Sequence, residues 1–134
     1  EKQIKGNLSL QEYGYSSVIY SKNNNPLFKI PGVTLSKWDD YAYLLSNGNI
    51  LISENCRIDD WVTMRVTIVD ENQKTLGKYK IKDFNNYEIS ELEESPIVFL
   101  NLFDNNYWTL NYETLEEKHI ENPDNLDIYS LVGS

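Results

Sequence analysis

The chain has 134 residues, enough to bury a core without disulfides or metal, and its 40% hydrophobic and 13% aromatic content excludes a disordered segment. Its formal charge is −9, from 21 acidic and 12 basic side chains, which disfavours nucleic acid and an anionic membrane as partners. Cys56 is the single cysteine, so an intramolecular disulfide is excluded and a reducing compartment fits. No apolar run approaches the roughly 20 residues a membrane span needs, and no signal peptide is read. A cytoplasmic location is therefore expected, with an exported or cell-surface one as the alternative. Asn, Lys, Ile and Tyr are all frequent and all have A/T-rich codons, so part of that bias is genomic.

Alternation of period two dominates the chain. Residues 7–13 read as a first strand. Residues 18–21 and 27–30 flank Lys22-Asn23-Asn24-Asn25-Pro26 as a hairpin. The strongest turn signal is Ser46-Asn47-Gly48-Asn49 between 41–45 and 50–53, where Asn-Gly suits the positive φ angles of a type I′ turn. Further on, Val62, Met64, Val66 and Ile68 point one way and Thr63, Arg65 and Thr67 the other, the pattern of a half-buried strand. Asp70-Glu71-Asn72-Gln73-Lys74 links this run to residues 75–82, where Lys78, Lys80 and Lys82 share a face. Alternating lysines there protect an exposed sheet edge.

Residues 87–94 read as one short helix closed by Ser95-Pro96. Residues 97–103 are almost continuously apolar, which predicts a central strand. Val98, Phe99, Leu100 and Leu102 join Val62, Met64, Val66 and Ile68 as the expected core, and Trp108 and Tyr112 alternate inward. Residues 107–112 and 116–121 flank Glu113-Thr114-Leu115 as a last hairpin, and 127–132 can supply a final strand. Two segments read alike, Asp83-Phe84-Asn85-Asn86-Tyr87 and Phe103-Asp104-Asn105-Asn106-Tyr107. Hairpin centres near 24, 48 and 72 are followed by one near 114, so a meander is expected rather than a propeller of strict period. The expected fold is mainly β: a single domain over 1–134, an antiparallel β-sandwich or open barrel of successive hairpins with one short helix near 87–94.

Catalytic chemistry finds little support. His119 is the single histidine; Glu117, His119 and Glu121 would share a strand face, but a metal site usually takes three or four ligands in fixed geometry. No metal and no cofactor is expected. Cys56 has Arg57 beside it, which offers charge and not basicity. Asp40 with Asp60 could form a glycosidase-like pair, a matter of separation that spacing does not settle. Asp124-Asn125-Leu126-Asp127 lacks the spacing of an EF-hand loop. No nucleophile elbow, phosphate-cradling loop or His-Glu-x-x-His occurs. The chain is read as a non-enzyme.

The most informative feature is where the acids fall. Residues 83–127 hold twelve acidic side chains and one basic one, Lys118, for a formal −11, while the remainder sums to +2. Such a field attracts a cationic partner. Glu88, Glu91, Glu93 and Glu94 form one cluster and Glu113, Glu116 and Glu117 another, with Asp104 and Tyr107 between them. Aromatic side chains ringed by charge are interface material. These nine residues are the expected binding surface for a basic, toxin-like protein, which makes an inhibitor or immunity protein the first functional expectation. The alternative is a β-sandwich module binding carbohydrate or another small ligand, carried by Trp38-Asp39-Asp40-Tyr41 and Asp59-Asp60-Trp61.

Overall fold

The computed structural model describes residues 2–55, 63–85 and 87–121. Among them run twelve strands: β1 (Lys2–Lys5), β2 (Leu8–Glu12), β3 (Ser17–Lys22), β4 (Asn25–Pro31), β5 (Tyr41–Leu44), β6 (Ile50–Asn55), β7 (Thr63–Val69), β8 (Thr75–Lys82), β9 (Ser90–Glu91), β10 (Ile97–Leu102), β11 (Asn106–Asn111) and β12 (Glu116–Ile120). They make three antiparallel four-stranded sheets, β1-β2-β3-β4, β5-β6-β7-β8 and β9-β10-β11-β12, each a meander in chain order. The mainly β, hairpin-built fold predicted from the alternation is the fold of the protein. Val62 and the strand expected over 127–132 lie outside the described residues.

The short helix expected near 87–94 does not form. Ser90 and Glu91 pair instead with Phe99 and Val98, and the Leu92 amide donates to the Ile97 carbonyl at 2.9 Å. One or two turns of helix are marginal in water, and helical spacing would stack Glu88, Glu91 and Glu94 at a cost. The extended chain buries Ile89 and Leu92 and takes its hydrogen bonds from β10. Among the described residues the nearest approach to a helix is the single turn at Phe103–Asn105, where Asp104 and Asn105 take left-handed φ of 61° and 60° and the Asn106 amide donates to the Phe103 carbonyl.

The type I′ turn lies elsewhere than predicted. Asn23 and Asn24 both have positive φ (53° and 63°) and join Lys22 to its partner Asn25 in two residues. At Asn47-Gly48 only Gly48 is left-handed, with φ of 91°. Its amide donates to the Leu45 carbonyl and the Leu45 amide to Asn49, the three-residue loop in which glycine takes the left-handed position. Asp70–Lys74 repeats that arrangement with Gln73 at φ 64°. The Asp70 carboxylate accepts from the Asn72 and Lys74 amides and so holds a turn that lacks glycine.

Contacts divide the chain into two compact units, Glu1–Lys80 and Ile81–Ser134. In the first, Leu10, Val18, Tyr20 and Ile30 from the first sheet share a core with Ala42, Leu44 and Ile50 from the second, completed by Val33 and Leu35. Gln3 in β1 accepts the Leu44 amide at 2.9 Å, satisfying the edge of β5. Tyr20, fully buried, donates its hydroxyl to the Gly48 carbonyl at 2.8 Å. Its pKa is raised, first by burial and then by the nearby Glu71 and Asp70. Tyr20→Phe should therefore cost about 1–3 kcal/mol by urea unfolding, because it strands a buried carbonyl. Raised folded pKa means that the unfolded chain releases this proton first, so stability falls as pH climbs past the ordinary tyrosine value of about 10. The wild type should lose more stability than Tyr20→Phe over that alkaline range.

In the second unit, Val98, Leu100, Leu102, Trp108, Leu110 and Tyr112 are all buried. The register sets Leu100 opposite Trp108 and Val98 opposite Leu110, so these side chains line one sheet face. Met64, Val66 and Ile68 of β7 are buried as predicted, whereas Phe99 is only half-buried because it faces the opposite side of β10. The two look-alike segments meet. Phe84 bridges Leu102, the Phe103 amide donates to Asp83, and the Asn85 amide donates to Asn101; Asn86 is outside the described residues.

Candidate functional site

The division into units coincides with the charge asymmetry. Residues 1–80 hold ten basic and nine acidic side chains, net +1, whereas residues 81–134 hold two basic and twelve acidic, net −10. All nine residues predicted to bind a partner belong to the acidic unit. Seven of them, Glu88, Glu93, Glu94, Asp104, Glu113, Glu116 and Glu117, are exposed; Glu91 and Tyr107 are half-buried.

Register decides which of these come together. Ile97 pairs with Asn111 and Asn111 with Glu116, so the 92–96 connection and the 112–115 loop leave the sheet at the same end. The Tyr112 amide donates to the Pro96 carbonyl at 2.9 Å and ties the two connections together. Glu93 and Glu94 thus share one end of the sheet with Glu113 and Glu116. Among the described residues none of these four carboxylates is held in an ion pair. The Asn111 side chain accepts from the Glu113 and Thr114 amides and fixes the loop that presents them.

Glu91 and Glu117 do something different. Glu91 pairs with Val98, Val98 with Leu110 and Leu110 with Glu117, one row across four strands. At about 4.8 Å per strand the two backbones stand roughly 14 Å apart. Each carboxylate accepts from a buried aromatic residue of that face: Glu91 from the Tyr112 hydroxyl at 2.9 Å, Glu117 from Trp108 Nε1 at 2.8 Å. These two acids anchor the aromatic core to the sheet margins. Asp104 and Tyr107 lie at the other end of β11, away from the Glu113 loop by roughly five strand residues, or about 17 Å. The structure therefore gathers the Glu93, Glu94, Glu113 and Glu116 group and sets Asp104 and Tyr107 apart from it.

Other candidates separate as well. His119 pairs with Trp108 in register and is exposed, and among the described residues no group of three or more His, Cys, Asp or Glu could hold a metal ion. Asp40 accepts the Asn55 amide at 2.9 Å, joining the start of β5 to the end of β6. Its suggested partner Asp60 lies outside the described residues, as do Cys56, Arg57, Asp59, Trp61 and residues 124–127. Trp38 is 86% exposed in the bend before β5, a position that alternation alone does not reveal. Among the described residues no helix is long and apolar enough to cross a membrane. No family model matches the chain, and no curated protein matches it.

Proposed function

We propose that this chain is a non-enzymatic binding protein whose acidic unit captures a basic protein partner. In its most specific form it is a cytoplasmic inhibitor or immunity protein that fills the cationic cleft of a toxin such as a nuclease. The observation that carries this reading is the segregation of charge, −10 in one compact unit against +1 in the other. A uniformly solubilising surface would not need it. The Glu93, Glu94, Glu113 and Glu116 group supports the reading further. Two connections tied by a backbone hydrogen bond present it, so its ordering cost on binding is small. Fixed carboxylates at a sheet end can occupy sites that a phosphate backbone would otherwise fill, and they speed encounter by steering.

The test is salt dependence of capture. Immobilised chain should retain its partner at low ionic strength and release it as salt rises, since exposed charges are screened beyond about 8 Å at physiological salt. A chain with Glu93, Glu94 and Glu116 changed to Gln should release the partner at lower salt. Retention that ignores both salt and these substitutions would sink the electrostatic reading.

Trp38 supports a second reading, a carbohydrate- or ligand-binding module. A tryptophan 86% exposed beside Asp39 offers a stacking face next to a hydrogen-bonding carboxylate. Quenching of Trp38 fluorescence by soluble saccharides, lost in Trp38→Ala, distinguishes it from capture of a protein.

A further inference from the structure

The outer face of the first sheet carries a groove that runs across its strands. Leu8, Leu10, Tyr20 and Phe28 turn toward the core, so alternation puts Ser9 and Gln11 of β2, and Ile19 and Ser21 of β3, on the opposite face. Ser9 pairs with Ser21, and Gln11 with Ile19. Beyond the serine row stand two turns, tied by the Asn23 amide donating to the Asn7 carbonyl at 2.8 Å. Two small side chains between taller neighbours leave a trough. Its adjoining hollows, of about 320 and 170 Å³, share Lys2, Ser9 and Asn24. The larger one reaches the range of small-molecule sites, about 300–1,000 Å³. Ile4 flanks Ser9 on β1 and Pro26 flanks Ser21 on β4, so the trough spans roughly 14 Å at about 4.8 Å per strand.

Small polar side chains on a solvated face need no ligand, but they would then be exposed. Ser9 is only 7% exposed and lines both hollows. Its hydroxyl has no hydrogen-bond partner among the described residues. Buried polar groups are normally partnered, and the open side of Ser9 is the groove. Gln11, Ser21 and Asn24 stand around it, their side chains likewise unengaged among the described residues. Glu12 borders the same hollow, yet its carboxylate turns to the core face and accepts the Leu35 amide at 3.1 Å. Tyr13 is committed as well, with Lys29 Nζ at 5.3 Å from its ring centroid.

We infer that this groove binds a neutral saccharide longer than one ring. Serine hydroxyls and Asn and Gln amides each donate and accept, as sugar hydroxyls do. An anion would use only the donors and leave the amide carbonyls facing negative charge, with Lys2 as the one nearby cation of the lining. Ile19 and Pro26 offer apolar surface to the C–H face of a ring. The assignment rests on the carbohydrate reading for its ligand class, and on Ser9 rather than Trp38 for its place.

The test is titration of the full chain with lactose, cellobiose, maltose, inorganic phosphate and trialanine, followed by amide NMR shifts. At least one disaccharide should move the amides of Ser9, Gln11, Ile19 and Ser21, and bind more tightly than phosphate or the peptide. Ser9→Ala should weaken binding about 2- to 10-fold, the loss of one hydrogen bond. Ser21→Val fills the trough floor with a side chain that suits a strand. It should abolish binding while the urea midpoint is kept, an outcome that a damaged fold cannot imitate. Trp38→Ala should leave the groove shifts unchanged. Shifts confined to the surroundings of Trp38 and lost in that variant would keep the carbohydrate reading and overturn this site. The inference also falls if no disaccharide moves the groove amides, if phosphate or trialanine binds there more tightly, or if Ser21→Val binds as the wild type does.

Discussion

Trp108→Ala should destabilise the second unit by about 3–5 kcal/mol in urea unfolding. Trp108 is fully buried. It stands opposite Leu100 in the register, with Leu110 and Tyr112 following on the same face. Truncation to alanine leaves a cavity that a β-sheet face, pinned by hydrogen bonds to β10 and β12, can close only in part. The lost hydrogen bond to Glu117 adds less, because Glu117 is exposed and water replaces the indole donor. Trp108→Phe retains most of the apolar area and should cost about 1–2 kcal/mol. A cost for Trp108→Ala within that smaller range would show that the aromatic row is peripheral to the stability of the unit.

Strand positions were legible because period-two alternation is a direct consequence of one face being buried. Met64, Val66 and Ile68 are buried for the reason the alternation suggests, and so are Trp108 and Tyr112. Local chemistry competed at the turns. Asn47-Gly48 carries the stronger type I′ signal, yet the pairing of Leu45 with Asn49 admits three residues and needs only Gly48 to be left-handed. Asn23-Asn24 takes the two-residue turn because Lys22 and Asn25 pair directly. Residues 87–94 misled for a physical reason too. Ile89 and Leu92 are spaced as on a helix, but β10 offers an unfilled edge, and backbone pairing outweighs a two-turn helix.

The candidate site was legible as composition and not as geometry. Localised charge can be counted along a sequence, but which carboxylates share a sheet end depends on register. Glu93 and Glu116 are brought to one end by the row Ile97–Asn111–Glu116, a non-local fact. The roles of Glu91 and Glu117 as hydrogen-bond acceptors for buried Tyr112 and Trp108 have no signal in the sequence beyond the presence of acids near aromatics.

Charge reversal should have the largest effect on association. Electrostatic steering raises encounter rates by about 10- to 1,000-fold, and the gain depends on where charge lies relative to the docking face. Changing Glu93, Glu94 and Glu116 to Lys alters exposed carboxylates that carry no ion pair among the described residues, so the fold should persist. Changing Asp39, Glu54 and Glu71 to Lys shifts net charge by the same amount on exposed positions of the other unit. The decisive measurement is the association rate of each triple variant, by stopped flow at low salt, with the partner recovered by low-salt co-purification. Capture by the acidic unit predicts a fall of about 10-fold or more for the first triple and no more than about 3-fold for the second. Equal falls for the two triples would contradict it, reducing the −10 unit to a solvated surface with no directed site.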